Sequence, residues 1–320
     1  MNKLFALTKN TFIETIRQPV YAVLIIAVLL LMFISPSITM YSLSDDTKFL
    51  REIGLSTLFL SSLFIAIFSA SGAVADEIEN KTVTTVLSKP IQRPIFIISK
   101  FLGVTCAVAM AHYICTIALL MAIRHGVLET VNDTHDWTVL TSAGISIILA
   151  FLLSAFLNLA YDWKFTASAI VLLAIFGTLS MTFLFFIDKQ WQFNPENNAI
   201  NTVDIYGALL LFLAVVIVVS LAIAFSARFN IVVTLLFCVG IFFLGLISNW
   251  AFGELAESHL WAKICFFLVP NLQVFWISDA IYEDSEVPLK YIVIGSAYAI
   301  SYSTAVLLVA IAVFQRRQVG

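Results

Sequence analysis

The sequence predicts an all-α polytopic membrane protein, one domain over residues 1–320, and three observations carry that prediction. Eight apolar runs, at 20–41, 53–75, 95–123, 139–160, 166–187, 205–225, 231–250 and 291–314, are long enough to cross the bilayer core as helices, which takes about 20 residues each. Hydrophobic residues make up 61% of the chain, charged residues 12%, and mean hydropathy is +1.00; an ordinary soluble domain is only about 45–50% apolar. The basic residues are also unevenly shared. With both termini cytoplasmic, Lys3, Lys9, Arg17, Lys81, Lys89, Arg93, Lys100, Lys164, Arg228, Arg316 and Arg317 fall inside, against Lys48, Arg51, Arg124, Lys189, Lys263 and Lys290 outside. That is the bias expected of cytoplasmic loops.

Taken in chain order, residues 1–18 predict an interfacial helix. Lys3, Asn10, Glu14 and Arg17 share one face and Phe5, Phe12 and Ile16 the opposite one, so it lies along the membrane with its apolar face down. Pro19 breaks it before the first span. The longest inner connection, 76–94, follows the second span and reads as a short helix with an acidic first turn, Asp76, Glu77 and Glu79. Glu77 and Lys81 form an i, i+4 pair, sharing a face with Thr84 and Ser88, while Val83, Val86 and Leu87 form a small apolar patch. Pro90 ends that helix, and Pro94 seats the first turn of the next span. The turns at 161–164 and 226–230 are brief, and the stretches 124–137 and 188–204 are polar connections on the outer side. In the outer segment 251–290, Pro270-Asn271 interrupts an apolar stretch at 264–281, which predicts two short re-entrant helices rather than a ninth crossing. The six tryptophans lie at or beyond run ends, where indoles settle at headgroup level.

No cleavable signal peptide is expected, because the first apolar run starts late and is too long. The four cysteines show no CxxC spacing and read as membrane-buried thiols. No Gly-Lys pair occurs, so the phosphate-cradling loop of ATP-hydrolysing motors is missing, and no HExxH, GxSxG or zinc spacing is present. The chain is therefore expected to be neither an enzyme nor a metal or cofactor carrier. Ionisable residues within spans, the usual markers of ion paths, are nearly absent. His112 is the clearest, and reads as a cavity-lining group or as a neutral histidine bonded to a neighbouring helix. Cys106 and Met110 are i, i+4 neighbours but lack a third soft ligand, so packing is the simpler reading. In the last span Tyr291, Gly295, Tyr298 and Tyr302 align on one face, to line a substrate path or to pack.

The stretch "DEIENKTVTTVLSKPIQRPIFIISKFLG" at 76–103 resembles the cytoplasmic segment of ABC-2 type transporter permeases, and "KNTFIETIRQPVY" resembles the elbow helix of that family. The nearest branch in wording is the bacterial permeases associated with multicopper enzyme maturation and gliding motility. The resemblance implies a six-helix core, here with an added pair at 205–250, and an exporter half without catalytic residues. It implies a separate cytoplasmic ABC ATPase subunit that binds ATP and Mg, a second permease subunit, surrounding lipid, and no nucleic acid. By that analogy Asp76, Glu77, Glu79, Lys81, Thr84, Val86, Leu87, Lys89 and Arg93 form the coupling helix and loop, with Arg17 of the elbow near the same partner. His112, Tyr298 and Tyr302 are the remaining candidates, for a substrate path or for packing. The location implied is the bacterial inner membrane. The alternatives are a membrane anchor that scaffolds a complex without transport, or an ion-coupled carrier, which the shortage of buried carboxylates disfavours.

Overall fold

A computed structural model describes residues 3–39, 46–79, 92–128, 133–196, 198, 200–277, 280–281, 283 and 285–315, with backbone alone at 39 and 75–79. The described chain is helical, with a single isolated β-bridge, Ile187 to Phe193. In lipid each backbone N–H and C=O needs a partner inside the segment, which is why apolar runs become helices. They are α1 (Lys3–Ile16), α2 (Pro19–Thr39), α3 (Asp46–Glu79), α4 (Arg93–His125), α5 (Trp137–Tyr161) and α6 (Phe165–Phe186). Then follow α7 (Thr202–Ser226), α8 (Ile231–Leu246), α9 (Ser248–Ser258), α10 (Leu260–Leu268), a 3-10 turn (Gln273–Phe275) and α11 (Leu289–Gln315). Seven helices are long and apolar enough to span a membrane, and eight if α8 and α9 count as one bent span.

The helix ends have local causes. Asp136 accepts from the N–H groups of Thr138 and Val139 at the start of α5, Asn201 from Val203 at α7, and Asn230 from Val233 at α8. These satisfy donors that every helix N-terminus leaves open. Pro19 and Pro94 occupy first turns, where a missing N–H costs nothing. Asp162 ends α5 in the left-handed conformation, and its N–H bonds back to Asn158. α6 then begins after three residues.

Successive spans alternate in direction, so eight passes return the chain to the end where α1 lies. The Arg93 guanidinium, opening α4, reaches the carbonyl oxygens of Phe314 and Gln315, closing α11. We call this the elbow end and the opposite one the far end. α3, α4 and α7 form the centre: two-thirds of the apolar windows of α3 and α7 is buried. α2, α8 and α11 flank them. α5 and α6 pack chiefly on each other and stand at the margin; a small separate cluster of Ile117, Met121, Val139 and Leu184 joins them to α4.

The structure refines three expectations. The pair at 205–250 read as added includes α7, which is central, while α5 and α6 stand at the margin. The seventh run is not one helix: α8 stops at Leu246 and α9 leaves at 69°. The cause is local. The Gly245 carbonyl accepts from the Leu272 N–H (3.1 Å) and the Ser248 hydroxyl (3.1 Å), so it is turned away from its own helix. A Cβ at Gly245 would stand 2.7 Å from the Pro270 carbonyl oxygen, so only glycine lets this turn approach. Third, Asp76–Glu79 do not open a new helix but continue α3 to its C-terminal end.

Candidate coupling end and buried polar centres

The motif residues that flank the connection 80–91 meet at the elbow end. Arg93 holds the last carbonyls of α11, as cations do at helix C-termini, and Phe96 stacks on Phe314 with ring centroids 5.4 Å apart. One turn on, Lys100 is buried, with Nζ 3.9 Å from the Glu14 carboxylate of α1 and 5.8 Å from the Phe96 ring centroid. Gly103 is where α1 crosses: a Cβ there would lie 2.6 Å from Thr11 Cβ and 2.8 Å from the Thr8 carbonyl oxygen. The protein-facing side of α1 is thus a threonine stripe, Thr8, Thr11 and Thr15, with the Thr15 hydroxyl bonded to the Thr11 carbonyl. The expected polar face, Lys3, Asn10, Glu14 and Arg17, is exposed. Phe5 on the opposite side is 59% exposed and faces outward from the protein. Tyr21, in the first turn of α2, donates to the Ala107 carbonyl at 2.7 Å and ties α2 to the same stretch of α4.

Of the other predicted coupling residues, Asp76, Glu77 and Glu79 are described in backbone only, at the end of α3. Lys81, Thr84, Val86, Leu87 and Lys89 lie outside the described residues.

His112 lies in α4, buried, with both ring nitrogens engaged. Nε2 lies 2.9 Å from the Ala208 carbonyl oxygen of α7, and Nδ1 lies 2.7 Å from the Ser62 hydroxyl of α3. A carbonyl only accepts, so Nε2 carries the proton and Nδ1 accepts from Ser62. The imidazole joins the three central helices, and its edge also borders a wide apolar recess of about 640 Å³ between α4, α6 and α7.

The tyrosine face of α11 meets the segment broken at Pro270. Tyr302 donates to the Leu268 carbonyl (2.6 Å), Tyr298 accepts from the Asn271 N–H (2.9 Å), and Tyr291 donates to the Val274 carbonyl. Asn249, Asn271 and Gln273 add a side-chain cluster beside it. Chain that is not helical leaves backbone groups open, and at membrane depth these must find partners in the protein. Three hydroxyls on one helix face supply them.

The sequence reading did not find the ion pair that joins two central helices. Arg51 in α3 and Asp204 in α7 meet with Nε 3.3 Å from Oδ1, and Asp204 is only 2% exposed. By sequence Asp204 closes the polar connection 188–204. The available signal was Asn201: as an N-cap it puts Asp204 in the first helical turn. A second pair joins Arg124 at the end of α4 to Asp136 at the start of α5, 3.6 Å apart. Arg124 also donates to the carbonyls of Leu184 and Ile187, which close α6.

Among the described residues no group of three His, Cys, Asp or Glu is placed to hold a metal ion. Nothing in these centres pairs a nucleophile with a base and oxyanion donors. What they do is join helices: each one bridges two or three spans. A search of curated proteins finds no match. The sequence model of the family described as "ABC-2 family transporter protein" matches residues 7–228. That region runs from α1 through the central α7, across the elbow-end motif, and covers more than half the chain. The chain therefore belongs to the ABC-2 family of transporter proteins and is a multi-pass membrane subunit of that family.

Proposed function

We propose that this chain is the permease subunit of an ATP-driven exporter, worked by a separate cytoplasmic ATPase that docks on the segment 76–94. On this reading the elbow end faces the bacterial cytoplasm, with both termini there, and a second permease subunit completes the path. ATP and Mg bind in the partner, and Glu77, Lys81, Thr84, Val86, Leu87, Lys89 and Arg93 make the contact, with Arg17 beside them. The resemblance of 76–103 to the multicopper-maturation and gliding permeases supports the finer reading that the chain is of that branch.

One observation carries the reading: Arg93, Lys100 and Gly103 fasten α4 to α11 and to α1 within three turns of where the connection 80–91 ends. A push on that connection therefore acts on the first helix and the last together, as rigid-body rocking of a transporter requires. The basic bias at this end supports its cytoplasmic placement.

The test is co-purification of this chain with ABC ATPase subunits from the cells that make it. Reversing the charges of Glu77 and Lys81 together is expected to cut recovery of the ATPase at least tenfold while membrane insertion is unchanged. Full recovery removes the segment from the contact. Labelling of Lys81 or Lys89 from outside intact cells would reverse the orientation and remove the ATPase as a partner.

A further inference from the structure

The chain has four histidines, and two of them meet at the far end: His125, closing α4, and His135, just before α5. The His125 Nε2 and the His135 Nδ1 face each other at 3.3 Å. Two ligands of a tetrahedral zinc ion at about 2.0–2.1 Å stand about 3.3–3.4 Å apart, so the nitrogens already have the spacing of a shared metal ion. The tautomer is also set. His125 Nδ1 lies 2.9 Å from the Gly126 carbonyl oxygen, which can only accept, so Nδ1 holds the proton and the Nε2 lone pair points at His135. Metal-bound histidines are commonly fixed in this way by a carbonyl on the other nitrogen. Gly126 has φ +72°, a backbone conformation open to glycine, and it turns that carbonyl back toward the ring.

The two rings are held by their neighbours. Arg124 and Asp136, the residues next to each histidine, form the ion pair between α4 and α5, so the histidine pair and the ion pair lie side by side across one corner. Arg124 is thereby neutralised beside the site, and the Asp136 carboxylate also caps α5. His135 packs against Trp137, 6.1 Å between centroids. Both histidines stand at the mouth of an apolar cavity of about 330 Å³ between α2, α4, α5 and α6, so a solute reaches them without opening the core.

We propose that His125 and His135 bind one divalent transition-metal ion of the zinc, nickel or copper class, clamping the end of α4 to the start of α5. On binding, His135 changes tautomer: Nδ1 gives its proton to water and Nε2 takes one up, so the ring stays neutral, the metal sits between the two lone pairs and water fills the remaining positions. Imidazole ligands suit this class of ion and not magnesium or calcium.

The experiment uses the full chain in detergent, purified without a polyhistidine tag, with Zn²⁺ or Ni²⁺ alone as the probe in equilibrium dialysis. One ion per chain is expected to bind. His125→Gln and His135→Gln should each weaken it at least tenfold, while His259→Gln leaves it unchanged. Zn²⁺ should also raise the melting temperature of the unaltered chain but not that of either variant, which separates lost ligation from lost folding. Co²⁺ should show the strong visible absorption of a low-coordinate site. No retained ion, or equal binding by the His125→Gln/His135→Gln double variant, overturns the proposal, and neither result bears on ATPase docking.

Discussion

The pair Arg51–Asp204 gives the sharpest test of how the central helices are held. At 3.3 Å and an effective dielectric constant of about 20, the attraction is about 5 kcal/mol. Desolvation of the two ions costs several kcal/mol each and offsets most of that, so the intact pair adds little net stability. Removing one partner is different. Asp204→Leu leaves the Arg51 charge, 23% exposed, in an apolar wall, and such a loss typically costs about 3–5 kcal/mol. Arg51→Met strands the more deeply buried Asp204 and should cost at least as much. The double variant Arg51→Met/Asp204→Leu removes both charges and is expected within about 1 kcal/mol of the parent, since well-packed apolar pairs replace buried ion pairs without loss. The assay is equilibrium unfolding of the full chain in bicelles, with all four proteins combined in a double-mutant cycle. Additive losses, or single variants that each cost under about 1 kcal/mol, would show that the two side chains do not depend on each other. No aligned hydrogen bond joins the two atoms, so the coupling measured is one of charge.

Two further tests concern packing. Gly103→Ala sets a methyl 2.6 Å from Thr11 Cβ and 2.8 Å from the Thr8 carbonyl; overpacking of this kind costs about 1–3 kcal/mol, and protease cleavage within α1 should rise with it. Gly144→Ala, where no atom lies within 4 Å of the added Cβ, is the control and should be neutral or slightly stabilising. Tyr302→Phe leaves the Leu268 carbonyl without its hydroxyl and should cost about 0.6 kcal/mol, at most about 1.7, read as faster deuterium exchange across 268–274. Unchanged exchange there would remove the tyrosine face from the support of the broken segment.

The elbow-end motif can now be given physical reasons. Its Arg, Lys and Gly are spaced along α4 so that Arg93 caps α11, Lys100 two turns on meets Glu14, and Gly103 about one turn further admits α1. Most of the motif's acidic and apolar residues lie outside the described chain or in backbone only. The proposal that they form a docking surface draws on the family and on the position of the segment's two ends.

Much of the architecture was readable from residue order alone. Apolar runs flanked by caps, prolines and tryptophans had to become helices, because lipid offers backbone groups no other partner. The short turn between α5 and α6, the end of α1 before Pro19 and the break at Pro270 follow from the same local chemistry. Which helix lies at the centre did not. α3 and α4 are slightly less apolar than α5 and α6, yet α3 and α4 are mostly buried and α5 and α6 mostly exposed. A side chain against lipid and one against another helix sit in equally apolar surroundings, so hydropathy cannot tell them apart. Only the tertiary structure brought Asp204 to Arg51, His112 to Ser62 and Ala208, and the tyrosines of α11 to the open backbone groups near Pro270. Each of those bonds joins groups distant in sequence, and its partner is chosen by how the helices cross.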